Sequence, residues 1–446
     1  MSDFTPWTLL IDVGIISILL LLGKLMRAKV RFIQRFFVPP SLLAGFMALI
    51  FGPEVLGWLP LSSKTGTYAG ILIALVFSAL PLTSNRKNAE GKAGETGRMW
   101  AFFQSGMLLQ WALGGLMGFL LFKMIWRISP AFGLALPAGF CGGHGTAAAI
   151  GATFSQYGVP EMLSLAMTSA TVGIIASIVI GMWLISWASE HGETAFLKKY
   201  SDLPDELRTG ILPNDKRVSM GEASFSAISI DSMTFNFAIV ALIALCGYGI
   251  SQAVAHFWPS IQFPVFSCAF IAGIFIQMLL KRCKFDKYVS KPIVGHISGA
   301  FTDYLVAFGV ASIKIEVVAQ YILPLVILLT IGLLFTLFYV FFIGKRLNNE
   351  FWFEKSILTW GWFTGTMAMG LALLRITDPD GKSGCLDNTA FAYLYITPVE
   401  IALVTFSPLA FVNGYGGWFV AVCAMAGTLI LVAAWLKGWF RKVVSV

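Results

Sequence analysis

Apolar runs about 20 residues long recur from one end of this chain to the other, and no other feature restricts its fold as strongly. A run of that length is what one helix needs to cross the hydrocarbon layer of a bilayer, roughly 30 Å thick. Backbone groups in lipid must satisfy their own hydrogen bonds, so the fold class is an all-α polytopic membrane protein. Charge agrees, since only 12% of residues are charged where a soluble domain carries about 25%. The 446 residues therefore read as one membrane domain with no sizeable soluble appendage. The net charge of +8 does not point to nucleic acid, because the basic residues punctuate the apolar runs and form no patch. Asp3 stands before the first run and no small-residue cleavage site follows it, so no secretory signal is expected. The cysteines (Cys141, Cys246, Cys268, Cys283, Cys385 and Cys423) show neither CxxC nor metal-ligand spacing. They read as small apolar residues, and no resident metal or organic cofactor is expected.

In a first half the runs place helices at about 8–26, 38–58, 67–83, 99–125 and 161–188. In a second half they fall at about 233–257, 264–280, 293–313, 318–344 and 389–413, with a last helix at about 417–437. A polar stretch from Ser189 to Asp231 divides the halves. Between the fourth and fifth helix of each half lies an apolar segment interrupted by glycine. The first is 131–157, with LPAGFCGGHGTAAAIGATF, and the second is 354–376, EKSILTWGWFTGTMAMGLALLRI. The second helix of each half opens on proline, at Pro39-Pro40 and at Pro264, and the third carries a similar stretch, LVFSAL and VAFGVA. The expected organisation is a membrane repeat at 8–190, a cytoplasmic linker at 191–231, a second repeat at 232–414 and an additional helix at 417–437.

Lys and Arg concentrate in cytoplasmic loops, which gives a test of how the two interrupted segments run. If each enters and leaves on one side, all but four of the 31 Lys and Arg fall inside, the exceptions being Lys64, Lys123, Arg127 and Lys314. If each crosses fully, every later basic loop flips and the bias degrades. The expectation is therefore two re-entrant hairpins from opposite faces, with the N-terminus outside and the C-terminus inside. The halves then form inverted repeats, a common build for secondary transporters. The setting expected is an inner (cytoplasmic) membrane.

A re-entrant turn leaves peptide groups bare at membrane depth, which is tolerated only inside protein or beside a water-filled cavity. The turn at Gly142, Gly143, His144, Gly145 and Thr146 lets the backbone adopt positive φ and lets a ligand approach closely. The limb starting near Thr146 would aim N–H groups and a positive dipole end at an anion. Carbonyls ending the first limb, near Ala138 to Cys141, suit a cation such as Na⁺. Thr364, Gly365 and Thr366 present the same geometry with hydroxyls in place of some glycines. Helix packing is the plainer alternative for membrane glycines, and it is the reading for Gly114 and Gly118, spaced GxxxG. Polar groups at membrane depth are costly and usually functional. Asp303 is a candidate for ion coupling or substrate positioning, against a structural pair. Glu400, beside Pro398, is a candidate for the substrate site, and Asp12 lies near enough to a helix end to reach water. His144 has three options: binding a carboxylate, carrying a proton or anchoring its turn. Thr168, Ser169 and Thr171 supply hydroxyls at helical spacing, as interhelical bonds or as ligands.

The segment LPAGFCGGHGTAAAIGATFSQYGVPEMLSLAMTSATVGI resembles the glutamate:sodium symporter family in its GGHGT core, the YG after it and the A-M-x-x-A-T-x-G of the next helix. The resemblance implies two inverted five-helix repeats, each with one re-entrant hairpin. It also implies Na⁺-coupled import of an acidic amino acid by alternating access, in a homodimer with moving transport domains. The partners implied are a small anionic substrate, Na⁺ and membrane lipid. On this reading Gly142 to Thr146, Thr364 to Thr366 and Glu400 serve the substrate, and Cys141, Thr168, Thr171 and Asp303 serve the cation. The chain departs from the family in its bulkier second turn, Gly361-Trp362-Phe363-Thr364-Gly365-Thr366, which lacks His. It also lacks a carboxylate late in the helix at 389–413, and it carries a polar segment around 376–388. A proton-coupled carrier or an exporter of another organic anion, with His144 or Asp303 titrating, stays open. An intramembrane enzyme is disfavoured because no GxSxG or HExxH occurs and His144 has no motif partner. A scaffold would not need two interrupted segments, and a channel would more often be a smaller repeated subunit.

Overall fold

The computed structural model describes residues 5–35, 38–83, 93–196, 209, 211–214, 217, 219–226, 228–257, 264–348, 350–378 and 381–440. Residues 84–92, 197–208 and 441–446, which carry several of the basic residues counted above, lie outside the described residues. Every described element is helical. Among the described residues ten helices are long and apolar enough to cross a membrane, so the chain is a multi-pass membrane protein.

In the first half these elements are α1 (Pro6–Lys29), α2 (Pro40–Phe51), α3 (Thr65–Thr83), α4 (Ala93–Met117), α5 (Ala135–Gly139), α6 (Gly143–Gln156) and α7 (Glu161–Glu190). In the second they are α8 (Ser232–Phe257), α9 (Val265–Arg282), α10 (Lys291–Ala311), α11 (Ile322–Phe338), α12 (Trp352–Thr364), α13 (Met367–Thr377) and α14 (Cys385–Val412). A last helix, α15 (Gly416–Leu436), follows. Local chemistry sets many ends. Pro39 and Pro264 cap α2 and α9 with nearly the same backbone, φ −60°, ψ 137° and φ −60°, ψ 134°. Both α4 and α11 run on into a π-helical turn, Gly118–Trp126 and Tyr339–Ile343. One expected span is too long. The run at 38–58 does not continue as helix past Phe51, because Gly52 precedes Pro53 and is extended, with ψ −173°.

The helices form two packed groups. In one, α1, α2 and α3 pack with α8, α9 and α10; in the other, α4 to α7 pack with α11 to α15. The groups meet where α3 and α10 lie against α6 and α7. Gly114 and Gly118 are packing residues, as their spacing suggested. A methyl on Gly118 would overlap the Pro130 carbonyl, and one on Gly133 would overlap the Gly114 carbonyl. The backbone ahead of α5 is thereby seated directly on α4. Asp12 does not reach water. It is fully buried and accepts from the Ser62 amide at 2.9 Å, the Ser62 hydroxyl and the Tyr68 hydroxyl at 2.8 Å, tying α1 to α3.

Candidate substrate and ion site

The first interrupted segment stops being helical at Phe140, Cys141 and Gly142, between α5 and α6. Of the glycines in its turn only Gly143 has positive φ, +61°, a conformation a side chain adopts at a cost. A Cβ on Gly143 would overlap the Thr366 methyl and lie 2.8 Å from the Gly365 carbonyl oxygen. The turn of the second segment, between α12 and α13, therefore rests directly on the first. Entry into α6 leaves its first amides, those of Gly143, His144 and Gly145, without helical partners.

In front of this turn lies a cavity of ≈ 160 Å³. Gly142, Gly145 and Thr146 line it from the turn, Ile73 and Phe77 from α3, and Thr302 from α10. Tyr393, Thr397 and Glu400 line it from α14. It is smaller than the roughly 300 Å³ of a drug-sized site, so it suits a small solute. The Tyr393 hydroxyl donates to Glu400 Oε2 at 3.0 Å, and the Tyr393 ring meets Trp362 of α12 edge-on at 5.5 Å. The second segment thus supports the residue that orients Glu400. The α6 N-terminus at Gly145 and Thr146 on one wall and a carboxylate on the other suit a solute carrying both a negative and a positive group.

Behind the turn, His144 is buried with Nε2 3.1 Å from the Thr171 hydroxyl oxygen. The Thr171 hydroxyl donates to the Met167 carbonyl at 2.9 Å, so it accepts from His144 Nε2–H. That tautomer leaves Nδ1 as a bare acceptor, and it has no partner among the described residues. The second turn is more fully engaged. Its Gly361 carbonyl accepts from the Ser177 hydroxyl at 3.2 Å, and its Phe363 carbonyl from Gln110 Nε2 at 2.9 Å. The Thr364 hydroxyl donates to the Trp360 carbonyl at 2.7 Å, and the Thr366 hydroxyl caps α13 by accepting from the Met369 amide at 3.3 Å.

Of the residues singled out in the sequence, the structure gathers Gly142, Gly145, Thr146 and Glu400 around one cavity, with Cys141 buried in electrostatic reach of Glu400. It pairs Gly143 with Gly365 and Thr366, and His144 with Thr171. Thr364 and Thr366 do not line this cavity. Thr168 is tied to its own helix, donating to the Ser164 carbonyl at 2.8 Å. Asp303 is exposed and faces Ser41 of α2, although its neighbour Thr302 reaches the cavity. One helical residue turns a side chain by about 100°, which separates the two. Sequence reasoning missed Tyr393, Thr397 and Thr302. Tyr393 and Thr397 stand two turns and one turn before Glu400 on one helix face, a signal available in the letters.

A sequence profile described as sodium/glutamate symporter matches residues 8–365, from α1 to the turn of the second segment. The sodium/glutamate symporters of Escherichia coli (strain K12) and Shigella flexneri are each 24% identical to this chain over 348 residues. In both cases the match covers 75% of this chain and 79% of the relative.

Proposed function

The chain belongs to the sodium/glutamate symporter family, and on that premise we propose that it imports glutamate, or a close amino-acid relative, by sodium-coupled symport. The observation that carries the substrate class is Glu400 across the cavity from the α6 N-terminus. A solute that is only an anion would meet the repulsion of Glu400. An amino acid places its ammonium against Glu400 and a carboxylate against the free amides of α6, where the helix dipole favours it. Thr146 adds a hydroxyl. The second turn braces the first from behind, through Gly365 and Thr366 on Gly143 and through Trp362 on Tyr393.

Movement follows from the two packed groups. A larger cavity, ≈ 1010 Å³, lies between them at the end carrying Glu54, Ser62, Gln156 and Lys314. With the N-terminus outside, this is an external vestibule. Ile73 lines both cavities and separates them. Displacing the α4–α7 and α11–α15 group against α3 and α10 would carry the small cavity from one face to the other, which is alternating access. The two interrupted segments then act as re-entrant hairpins in inverted repeats.

The test is uptake of labelled glutamate into proteoliposomes. An inward Na⁺ gradient should drive accumulation, and Glu400→Gln should raise the KM at least about thirtyfold, the 2 kcal/mol or more expected when one partner of a buried ion pair is removed. Uptake that ignores Na⁺ and follows a proton gradient would replace this reading with the proton-coupled one. Wild-type affinity in Glu400→Gln would remove Glu400 from the substrate.

A further inference from the structure

Ser169 of α7 is fully buried, and its hydroxyl has no hydrogen-bond partner among the described residues. That is unusual on this helix. Thr168 and Thr171 donate to their own i−4 carbonyls at 2.8 and 2.9 Å, and Ser177 donates to Gly361 at 3.2 Å. Ser and Thr inside helices commonly satisfy themselves in this way, and Ser169 does not. Its side chain lies against Gly139, the last residue of α5, where a Cβ would overlap the Ser169 hydroxyl. Glycine at 139 lets the end of α5 seat directly on that oxygen.

The end of α5 is itself short of donors. The Phe140 amide bonds to Leu136 at 2.9 Å and the Gly142 amide to Pro137 at 3.4 Å. Among the described residues no hydrogen bond reaches the carbonyls of Ala138, Gly139, Phe140 or Cys141, all of them buried residues. A buried polar group left unpaired destabilises the fold. Several acceptors left unpaired together, at the C-terminal end of a helix, form an environment that a cation relieves and a further acceptor would worsen. Unwound carbonyls and half-helix ends are the groups that bind Na⁺ at membrane depth.

We propose that the Ser169 hydroxyl and the carbonyl oxygens closing α5, those of Ala138 to Cys141, form the site of the coupling Na⁺. The proposal rests on the sodium-coupled reading given above. It also supplies the coupling. The same few residues that ligate the ion lead into Gly142 and Gly143, and Gly142 lines the substrate cavity. An ion holding Ala138 to Cys141 fixes the position of the α6 amides, so Na⁺ binding prepares the site for the carboxylate. Asp303 and Thr168 are not needed for it.

Two readouts test this. One is the Na⁺-dependent rise in Tm of the purified full-length protein without glutamate; the other is the half-saturating Na⁺ concentration for glutamate uptake in proteoliposomes. Ser169→Ala should raise the half-saturating Na⁺ at least tenfold in both, with the KM for glutamate at saturating Na⁺ within twofold of wild type. Should Ser169→Ala fail to fold, Ser169→Cys keeps the volume and replaces the hard oxygen by sulfur, and the same loss is expected. Wild-type Na⁺ dependence in the folded variant overturns the site while leaving sodium coupling intact. A wild-type protein whose Tm and uptake are both indifferent to Na⁺ overturns the sodium-coupled reading and the site with it.

Discussion

The two interrupted segments occupy matching places in the chain, yet their turns are built differently. The turn after α5 runs through Phe140 and Cys141 into two glycines, one of them at positive φ, leaves carbonyls free, and lines a cavity with Glu400. The turn after α12 is packed with Trp362 and Phe363, and its carbonyls at Gly361 and Phe363 are met by Ser177 and Gln110. Bare backbone is costly at membrane depth unless something polar meets it. In the second turn protein side chains meet it. In the first turn the solute and the ion do, on the account proposed above. Matching position in the order of helices therefore need not bring matching duty, and on the proposed reading the distribution of unpaired backbone groups separates a binding turn from a bracing one.

The contact between the two turns is where the comparison breaks most easily. Gly143→Val forces a β-branched residue into positive φ, a strain of about 1–3 kcal/mol, and drives its side chain into Thr366 and Gly365. Uptake should fall below detection while the protein still inserts, read by surface labelling beside the transport assay. Normal kinetics would mean that the junction is dispensable. A smaller effect is expected from Tyr393→Phe, which removes a hydrogen bond to Glu400 worth about 1.5–3 kcal/mol for a charged acceptor. The KM for glutamate should rise roughly tenfold or more. A change in stability with unaltered KM would assign Tyr393 to packing alone.

Gln110→Ala sharpens the contrast from the other side. It bares the Phe363 carbonyl in the bracing turn, and the unpaired group should lower stability by about 1–3 kcal/mol. Thermal unfolding should show that loss, with KM values for glutamate and Na⁺ near wild type. A shift in the Na⁺ dependence instead would make the second turn part of the ion site.

The smallest effect belongs to the base of the second segment. There Glu193 meets Lys345 at 2.8 Å and accepts from Trp352 Nε1 at 2.9 Å. Partial burial pushes the Glu193 carboxyl up, but the hydrogen bonds from Lys345 and Trp352 and the Lys345 charge outweigh it and hold the carboxyl below its ordinary value. A carboxyl lowered by folding stabilises the fold above its unfolded pKa, and that contribution is lost as pH falls through the folded value. Glu193→Gln should therefore cost less than about 1 kcal/mol near neutral pH, since the pair is partly exposed, and nothing in strong acid. A loss that persists at low pH would show that the charge is not responsible.

Much of the fold was legible because hydropathy and helix length are properties of the letters. The spans of α1, α3, α7 and α8 fall within a few residues of the apolar runs, and α2 departs only at the Gly52-Pro53 break. The site was less legible, and particular residues show why. Asp303 stood out as a costly acid at membrane depth, but whether it or Thr302 meets the cavity depends on the rotation of α10 against α3. Thr168, Ser169 and Thr171 look equivalent in sequence. What separates them is the contact of Ser169 with Gly139 and of Thr171 with His144, which only the packing of α5 and α6 on α7 decides. Tyr393 was hidden for a different reason, because a tyrosine in an apolar run reads as packing until its hydroxyl is seen to reach Glu400 two turns along the same helix face.

The division of labour between the turns is tested most directly by imaging the protein in lipid with Na⁺ and glutamate bound. The account predicts ligand density in the small cavity, with one end at Gly145 and Thr146 on the α6 N-terminus and the other on Glu400, and the second turn contacting only protein. Glutamate seated against Thr364 to Thr366, or held in the large vestibule away from Glu400, would contradict it.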